Sequence, residues 1–216
     1  SVDDNGWITA TTDQLGQTTT YQHDLVGRIR EVVPPVDGNQ WLKTTISFRQ
    51  SAESEYGLPA GHWRVDNIKG ARHQETYMDA LWQPIIVREY DSNDVNGTQR
   101  FIRSAYDQEG RKTFSSYPSK DSAAATGVWS EYDPLGRKTY SAQDSELGLL
   151  ITSLEYQANA TVLVTDPAGH QTSTRFDAYE APDYDHAAQV TRPDGSKIVI
   201  TRNIFGLTTE ISQSEN

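Results

Sequence analysis

The stretch Ser130-Glu131-Tyr132-Asp133-Pro134-Leu135-Gly136-Arg137-Lys138-Thr139-Tyr140 decides how this chain is read. Two extended runs meet there at a tight turn. Tyr132 ends the first run, Asp133 to Gly136 turns the chain, and Arg137 to Tyr140 opens the next run. A type I turn favours Asp at its first position, Pro at its second and Gly at its fourth. The Asp side chain accepts hydrogen bonds from the N–H groups just ahead of it, Pro presets φ, and Gly takes the positive φ that a bulged hairpin requires.

The unit recurs along the chain. Tyr106-Asp107-Gln108-Glu109-Gly110-Arg111-Lys112 repeats it with the same spacing. Asp13-Gln14-Leu15-Gly16, Asp24-Leu25-Val26-Gly27-Arg28 and Asp166-Pro167-Ala168-Gly169 keep the Asp-x-x-Gly core, and Asn203-Ile204-Phe205-Gly206 is a looser copy. Longer matches surround two of them: Asp13 and Asp24 lie as far apart as Asp166 and Asp177. Self-similarity of this kind points to a repeat architecture.

Tyr, Asp, two variable residues, Gly and Arg, taken with the turn Arg192-Pro193-Asp194-Gly195 feeding the alternating run Ser196 to Thr201, resemble the RHS/YD-repeat family. The resemblance runs from about Asp13 to Ile211. It extends to shell segments of polymorphic toxins, Tc toxin cocoon components and teneurin-type YD shells. It implies a β-ribbon spiralling as part of a hollow shell in a bacterial toxin-delivery protein, a non-catalytic wall that encloses a C-terminal toxic effector domain. The implied partners are the remainder of the shell, the enclosed toxin and secretion-apparatus proteins, with the whole exported from a bacterial cell. Two departures stand out: Trp82 occupies the glycine position after Asp79, and Glu180 the one after Asp177. There the turn differs in geometry or the chain runs straight through.

Composition fits a thin sheet. Of 216 residues only 35% are hydrophobic, while Tyr numbers 11 and Trp 5. Few aliphatics disfavour a thick core, and large flat rings can seal a sheet face in their place. A formal net charge of −11 argues against nucleic acid, whose phosphates demand Lys and Arg, and against an anionic membrane surface. With no Cys there is neither a disulfide framework nor a thiolate metal site. No signal peptide opens the chain, and Leu147 to Ile151 is far too short to span a bilayer. Residues 1–216 are read as a single repeat segment, an internal fragment of a much larger protein.

Strand-prone runs recur between turn signals throughout. Ile85-Ile86-Val87 is β-branched, and Leu42, Thr44, Ile46 and Phe48 share one face at period two. Asp91 to Thr98 reads as a turn, Ser51 to Gly61 as a polar loop, and Tyr179 to Ala188 as a second, acidic loop. Ala123 to Ala125 is a loop or one helical turn capped by Asp121. The fold expected is all-β, a long antiparallel ribbon of successive hairpins.

Chemistry has little to work with. His23, His62, His73, His170 and His186 sit in no nucleophile elbow, and each reads as a strand or turn residue. Asp183, Asp185 and His186 form a small cluster. Asp91 to Gly97 looks faintly like a calcium loop, but its glycine is one place late and Val95 fills a ligand position. Glu53 with Glu55, and Asp3 with Asp4, read as solvated pairs. The family's self-cleaving core carries Asp-Pro-x-Gly, and Asp133-Pro134 and Asp166-Pro167 match it. Each sits inside an ordinary repeat and is read as a turn. Asn96-Gly97-Thr98 and Asn159-Ala160-Thr161 match a glycosylation pattern without a context that would use it. No enzyme, metal site or cofactor is expected. Trp41, Trp63, Trp82 and Trp129 leave one alternative to a purely structural role: stacked on a strand face, they either seal the sheet or bind glycans at a cell surface.

Overall fold

The computed structural model describes residues 1–36, 41–178 and 181–215, which form two compact units, Ser1–Thr126 and Gly127–Asn216. The first unit carries β1 (Ala10–Thr12), β2 (Thr18–His23), β3 (Ile29–Val33), β4 (Thr44–Gln50), β5 (Trp63–Lys69), β6 (Arg72–Met78), β7 (Pro84–Asp91), α1 (Val95–Thr98), β8 (Arg100–Tyr106) and β9 (Lys112–Ser116). The second carries β10 (Gly127–Tyr132), β11 (Lys138–Ser145), β12 (Gly148–Gln157), β13 (Thr161–Thr165), β14 (Gln171–Ala178), β15 (Pro182–Thr191), β16 (Lys197–Arg202) and β17 (Thr208–Ser214). Within each unit every strand pairs antiparallel with the next in sequence. The protein is all-β, with a single short helix among the described residues.

Side chains set the elements. β2 and β4 alternate half-buried and exposed residues, as a strand with one covered face must. The β5–β6 hairpin closes directly from Lys69 to Arg72, with Gly70 at φ +59°. The helix α1 falls in the run expected to be a plain turn. Asp94 caps it, accepting from the Gly97 N–H at 2.9 Å. At Ala123 to Ala125 the chain forms a loop, in which the Asp121 side chain accepts from the Ala123 N–H.

One loop reading is corrected. Tyr179 to Ala188 was expected as an acidic loop, but β15 begins at Pro182 and runs through it. The strand tolerates its acidic residues because Asp183 satisfies local groups. It accepts from the Asp185 N–H and from Nδ1 of His186 at 2.6 Å, where the pairing with β14 shifts register. Asp177 lies in β14, not at the head of a turn, and pairs with Arg202 at 2.8 Å. The Tyr179-Glu180 half of that departure lies outside the described residues.

Candidate functional site

One turn, repeated, positions most of the residues singled out by the sequence. At Asp133 the backbone N–H bonds to the Arg137 carbonyl at 2.9 Å, and the Gly136 N–H bonds back to the Asp133 carbonyl at 2.9 Å. The carboxylate then accepts from the N–H groups of Leu135 and Arg137, and the Arg137 guanidinium closes on its second oxygen at 2.7 Å. The flanking residues Tyr132 and Lys138 pair, with a register shift beside them. Gly136 takes φ +80°. This is a type I turn running into a glycine bulge.

The same bonds appear at Asp13, Asp24, Asp107 and Asp166. The arginine clamp recurs at Arg28 and Arg111, and His170 takes its place beside Asp166 at 3.1 Å. Gly16, Gly27, Gly110 and Gly169 all have φ between +79° and +86°. Gly27 has a second reason to lack a side chain, because a Cβ there would come within 2.8 Å of the Trp7 indole. Asn203 makes the turn with its amide oxygen. The Arg192 to Ser196 turn keeps the backbone bonds, with Gly195 at φ +85° and Asp194 accepting from the Ser196 N–H.

Sequence reasoning missed one copy and left another open. Asp3 accepts from the N–H groups of Asn5 and Trp7, and Val2 bridges Ile8. The Asp3-Asp4-Asn5-Gly6 spacing carried that signal. At Asp79 the turn forms in full, with the Leu81 and Gln83 N–H groups on the carboxylate. Trp82 fills the glycine position at φ +64°, a left-handed conformation that costs a non-glycine residue about 1–2 kcal/mol.

Bonds within the turn act on its carboxyls. At Asp24, Asp107 and Asp133 partial desolvation works upward. It is outweighed by the turn N–H groups and the paired arginine, so each carboxyl sits below the ordinary range. At Asp166 the His170 N–H is the main cause of the same displacement. In Asp194 the Ser196 side-chain and backbone bonds lead.

A second constellation lies in the first unit and draws on β5, β6 and β7. Glu75, 5% exposed, accepts four hydrogen bonds. Arg64 Nη2 and the Tyr90 hydroxyl donate to one oxygen, and the Tyr77 hydroxyl, at 2.8 Å, and Arg88 Nη1, at 3.2 Å, donate to the other. Strand register brings Glu75 opposite both Asp66 and Arg88, and Arg64 bridges Asp66, Glu75 and Glu55. Four donors fill the acceptor sites of this buried carboxylate and fix its position. Burial first, then the bond to Glu75, pushes the Tyr77 phenol far above its ordinary value. Tyr56 packs edge-on against Tyr77 and Phe101 at 5.0 and 5.2 Å.

The remaining histidines are held in place structurally. His23 lies against Trp7, and His73 stacks on Tyr90. His62 is buried with Nδ1 on the Pro59 carbonyl at 2.8 Å. Among the described residues no three His, Asp or Glu side chains converge to hold a metal ion, and no helix is long and apolar enough to cross a membrane.

Phe48, Trp63 and Trp82 form an aromatic cluster. Phe48 stacks on Trp63 at 4.7 Å and on Trp82 at 4.9 Å, and the two indoles lie 5.1 Å apart. Arg28 sits 4.2 Å above the Phe48 ring. Trp82 remains 52% exposed.

Comparison with known proteins adds a family and two distant structures. No curated protein sequence matches the chain. A chain of the Photorhabdus luminescens Tc holotoxin pore aligns over 99% of this chain and 14% of its own length, at 9% identity and a TM-score of 0.31. A chain of a TcdB2–TccC3 crystal structure aligns over 94% of this chain and 15% of its own length, at 9% identity and a TM-score of 0.22. The chain thus spans about a seventh of the structures it aligns with. Residues 2–41 match the family model described as RHS repeat, the stretch that holds the Asp3, Asp13 and Asp24 turns, and the chain carries an RHS repeat there.

Proposed function

We propose that this chain is a wall segment of an RHS-type shell that encloses and shields a C-terminal toxic effector domain for delivery from a bacterial cell. The observation that carries the reading is the repeated turn. One five-residue device joins strand to next strand at Asp13, Asp24, Asp79, Asp107, Asp133, Asp166, Arg192 and Asn203. A chain built this way adds wall area with each repeat. Most of its distinctive residues are spent on geometry: Tyr106, Asp107, Gly110 and Arg111, and Tyr132, Asp133, Gly136 and Arg137, serve turns. Its acidic balance keeps an outer face in solution. The partners of this reading are the remainder of the shell, the enclosed domain and the apparatus that exports it.

Limited proteolysis of the parent protein tests it. The effector domain, attached to the repeats, is to be digested beside the same domain expressed free. Survival of the attached domain until the repeats unfold supports enclosure. Digestion at the rate of the free domain rejects it.

A further inference from the structure

We propose that residues 51–61 form a strap over the buried network of the first unit, and that a proton on His62 latches it. The strap runs from the end of β4 to the start of β5. Its ends are tied by the Ser51 N–H on the His62 carbonyl at 2.9 Å and by the Gly61 N–H on the Ser51 carbonyl at 2.7 Å. Between them Glu55 and Leu58 exchange backbone bonds across Tyr56 and Gly57. Both residues of that turn have positive φ, +52° and +83°, as a type I′ turn requires. Glycine adopts such a φ freely, but Tyr56 is strained by it, and strain persists only where the surroundings enforce it. Here the Tyr56 ring packs edge-on against Tyr77 and Phe101, and Leu58 packs on the cluster of Tyr77, Ile86 and Phe101.

The latch follows from the tautomer of His62, whose side chain is 2% exposed. A carbonyl oxygen only accepts, so Nδ1, 2.8 Å from that of Pro59, carries a hydrogen. In the neutral ring Nε2 is then a bare lone pair. It is buried without a hydrogen-bond partner among the described residues, and Glu55 Oε2 lies 3.5 Å away. Lone pair and carboxylate repel. A second ring proton reverses the sign, because Nε2 becomes a donor facing an anion in a site closed to water. Glu55 is already placed for it, with the Ser51 hydroxyl at 2.7 Å on the same oxygen and Arg64 at 3.2 Å on the other. The strap is therefore held more firmly when His62 is charged, and this hold is lost as pH rises. Of the groups around the ring, Arg64 and Arg88 keep their charge. The Tyr77 phenol, its ring 5.8 Å from the imidazole, is pushed far up by burial. Asp66 and Glu75 are linked to Glu55 through Arg64, and Asp79 lines a depression of about 440 Å³ with His62.

Hydrogen exchange of the 216-residue chain tests the latch at about pH 7.5 and about pH 5.5, across the range in which histidine ordinarily changes charge. Rates are expressed as protection factors, which removes the intrinsic pH dependence of exchange. The Glu55, Leu58 and Gly61 amides should gain about fivefold or more protection at the lower pH, while β12 and β13 do not change. Glu55→Gln presents an amide donor to the Nε2 lone pair, so its strap should be as protected at the higher pH as the parent's is at the lower. His62→Phe keeps a ring without the proton and should lose the response, which separates His62 from Asp66, Glu75 and Asp79. Four outcomes overturn the proposal: the parent strap is equally protected at both pH values, β12 and β13 gain as much as the strap, either variant responds to pH as the parent does, or Glu55→Gln gains nothing at the higher pH.

Discussion

In Ser1–Thr126 the residues withdrawn from water include Tyr77, Ile86 and Phe101, with Glu75 among them; among the described residues of Gly127–Asn216 the buried hydrophobics are Ala142, Ala160, Val162 and Ala188. The first set is large and joined by side-chain contacts across β5, β6, β7 and β8. The second is small. Leu149, Leu150 and Ile151 of β12 are exposed by 52%, 43% and 41%, and consecutive strand residues point to opposite faces, so the first half of β12 is open on both, while further along Thr152, Leu154 and Tyr156 are half-buried on one face. The second unit has side-chain contacts of its own, with Tyr184 edge-on to Tyr156 and Phe176 and Arg137 over Tyr156. These groups stay partly exposed, so the unit leans more on main-chain ladders and on its turns, while the first adds a buried network.

The largest effect is expected from the network. Glu75→Ala leaves Arg64, Arg88, Tyr77 and Tyr90 short of an acceptor in a mostly buried site, which should cost about 3–5 kcal/mol. Denaturant unfolding would show it, and hydrogen exchange should locate the loss in β5, β6 and β7. If β12 and β13 lose protection equally, the two units do not differ as described.

The turn comes next. Gly136→Val forces a β-branched residue into φ +80° and should cost about 1–3 kcal/mol. With little buried side-chain area to compensate, protection should fall along β10 and β11. An unchanged melting temperature would break the assignment of stability to turns.

Acid should weaken both units. The carboxyls of Asp24, Asp107, Asp133 and Asp166 titrate lower in the fold than free, so the unfolded chain takes up protons first. Their contribution is complete above the unfolded value of about 3.9 and is lost as pH falls through the folded values. The melting temperature should hold from neutrality to about pH 5 and then drop. A curve that is flat to about pH 2 would remove the carboxylates from the account.

The smallest effect is expected from Asp133→Asn. Asn203 makes the same backbone bonds with an amide oxygen, so the turn should survive while its arginine pair and its share of the acid sensitivity go. Comparing the acid arms of parent and variant would measure that share.

Legibility followed distance along the chain. The turns could be read because their bonds close within five residues: Asp, Gly and Arg at fixed offsets carry all the information. The Glu75 network could not, because Glu55, Arg64, Glu75 and Arg88 come together only through strand register. The opposed like charges of Asp66 and Glu75 show how little a one-dimensional pattern says about such a site. Trp82 fell between the two cases. Its turn was visible from Asp79, but the rings it stacks on, Phe48 and Trp63, come from β4 and β5. In β15 a run of Asp and His read as a loop because the Asp183 bonds that support the strand are invisible to composition.

The self-contained turn also bears on how the chain acquires its structure. All-β proteins usually fold slowly, since distant segments must meet before any contact repays the entropy of closing the loop. Here each strand finds its partner next in line, and the turn between them is bonded by its own residues. Contact order within each unit is therefore low for a β protein. A chain leaving the ribosome can close one hairpin before the next is synthesised, and few edges would wait unpaired for a partner still to be made.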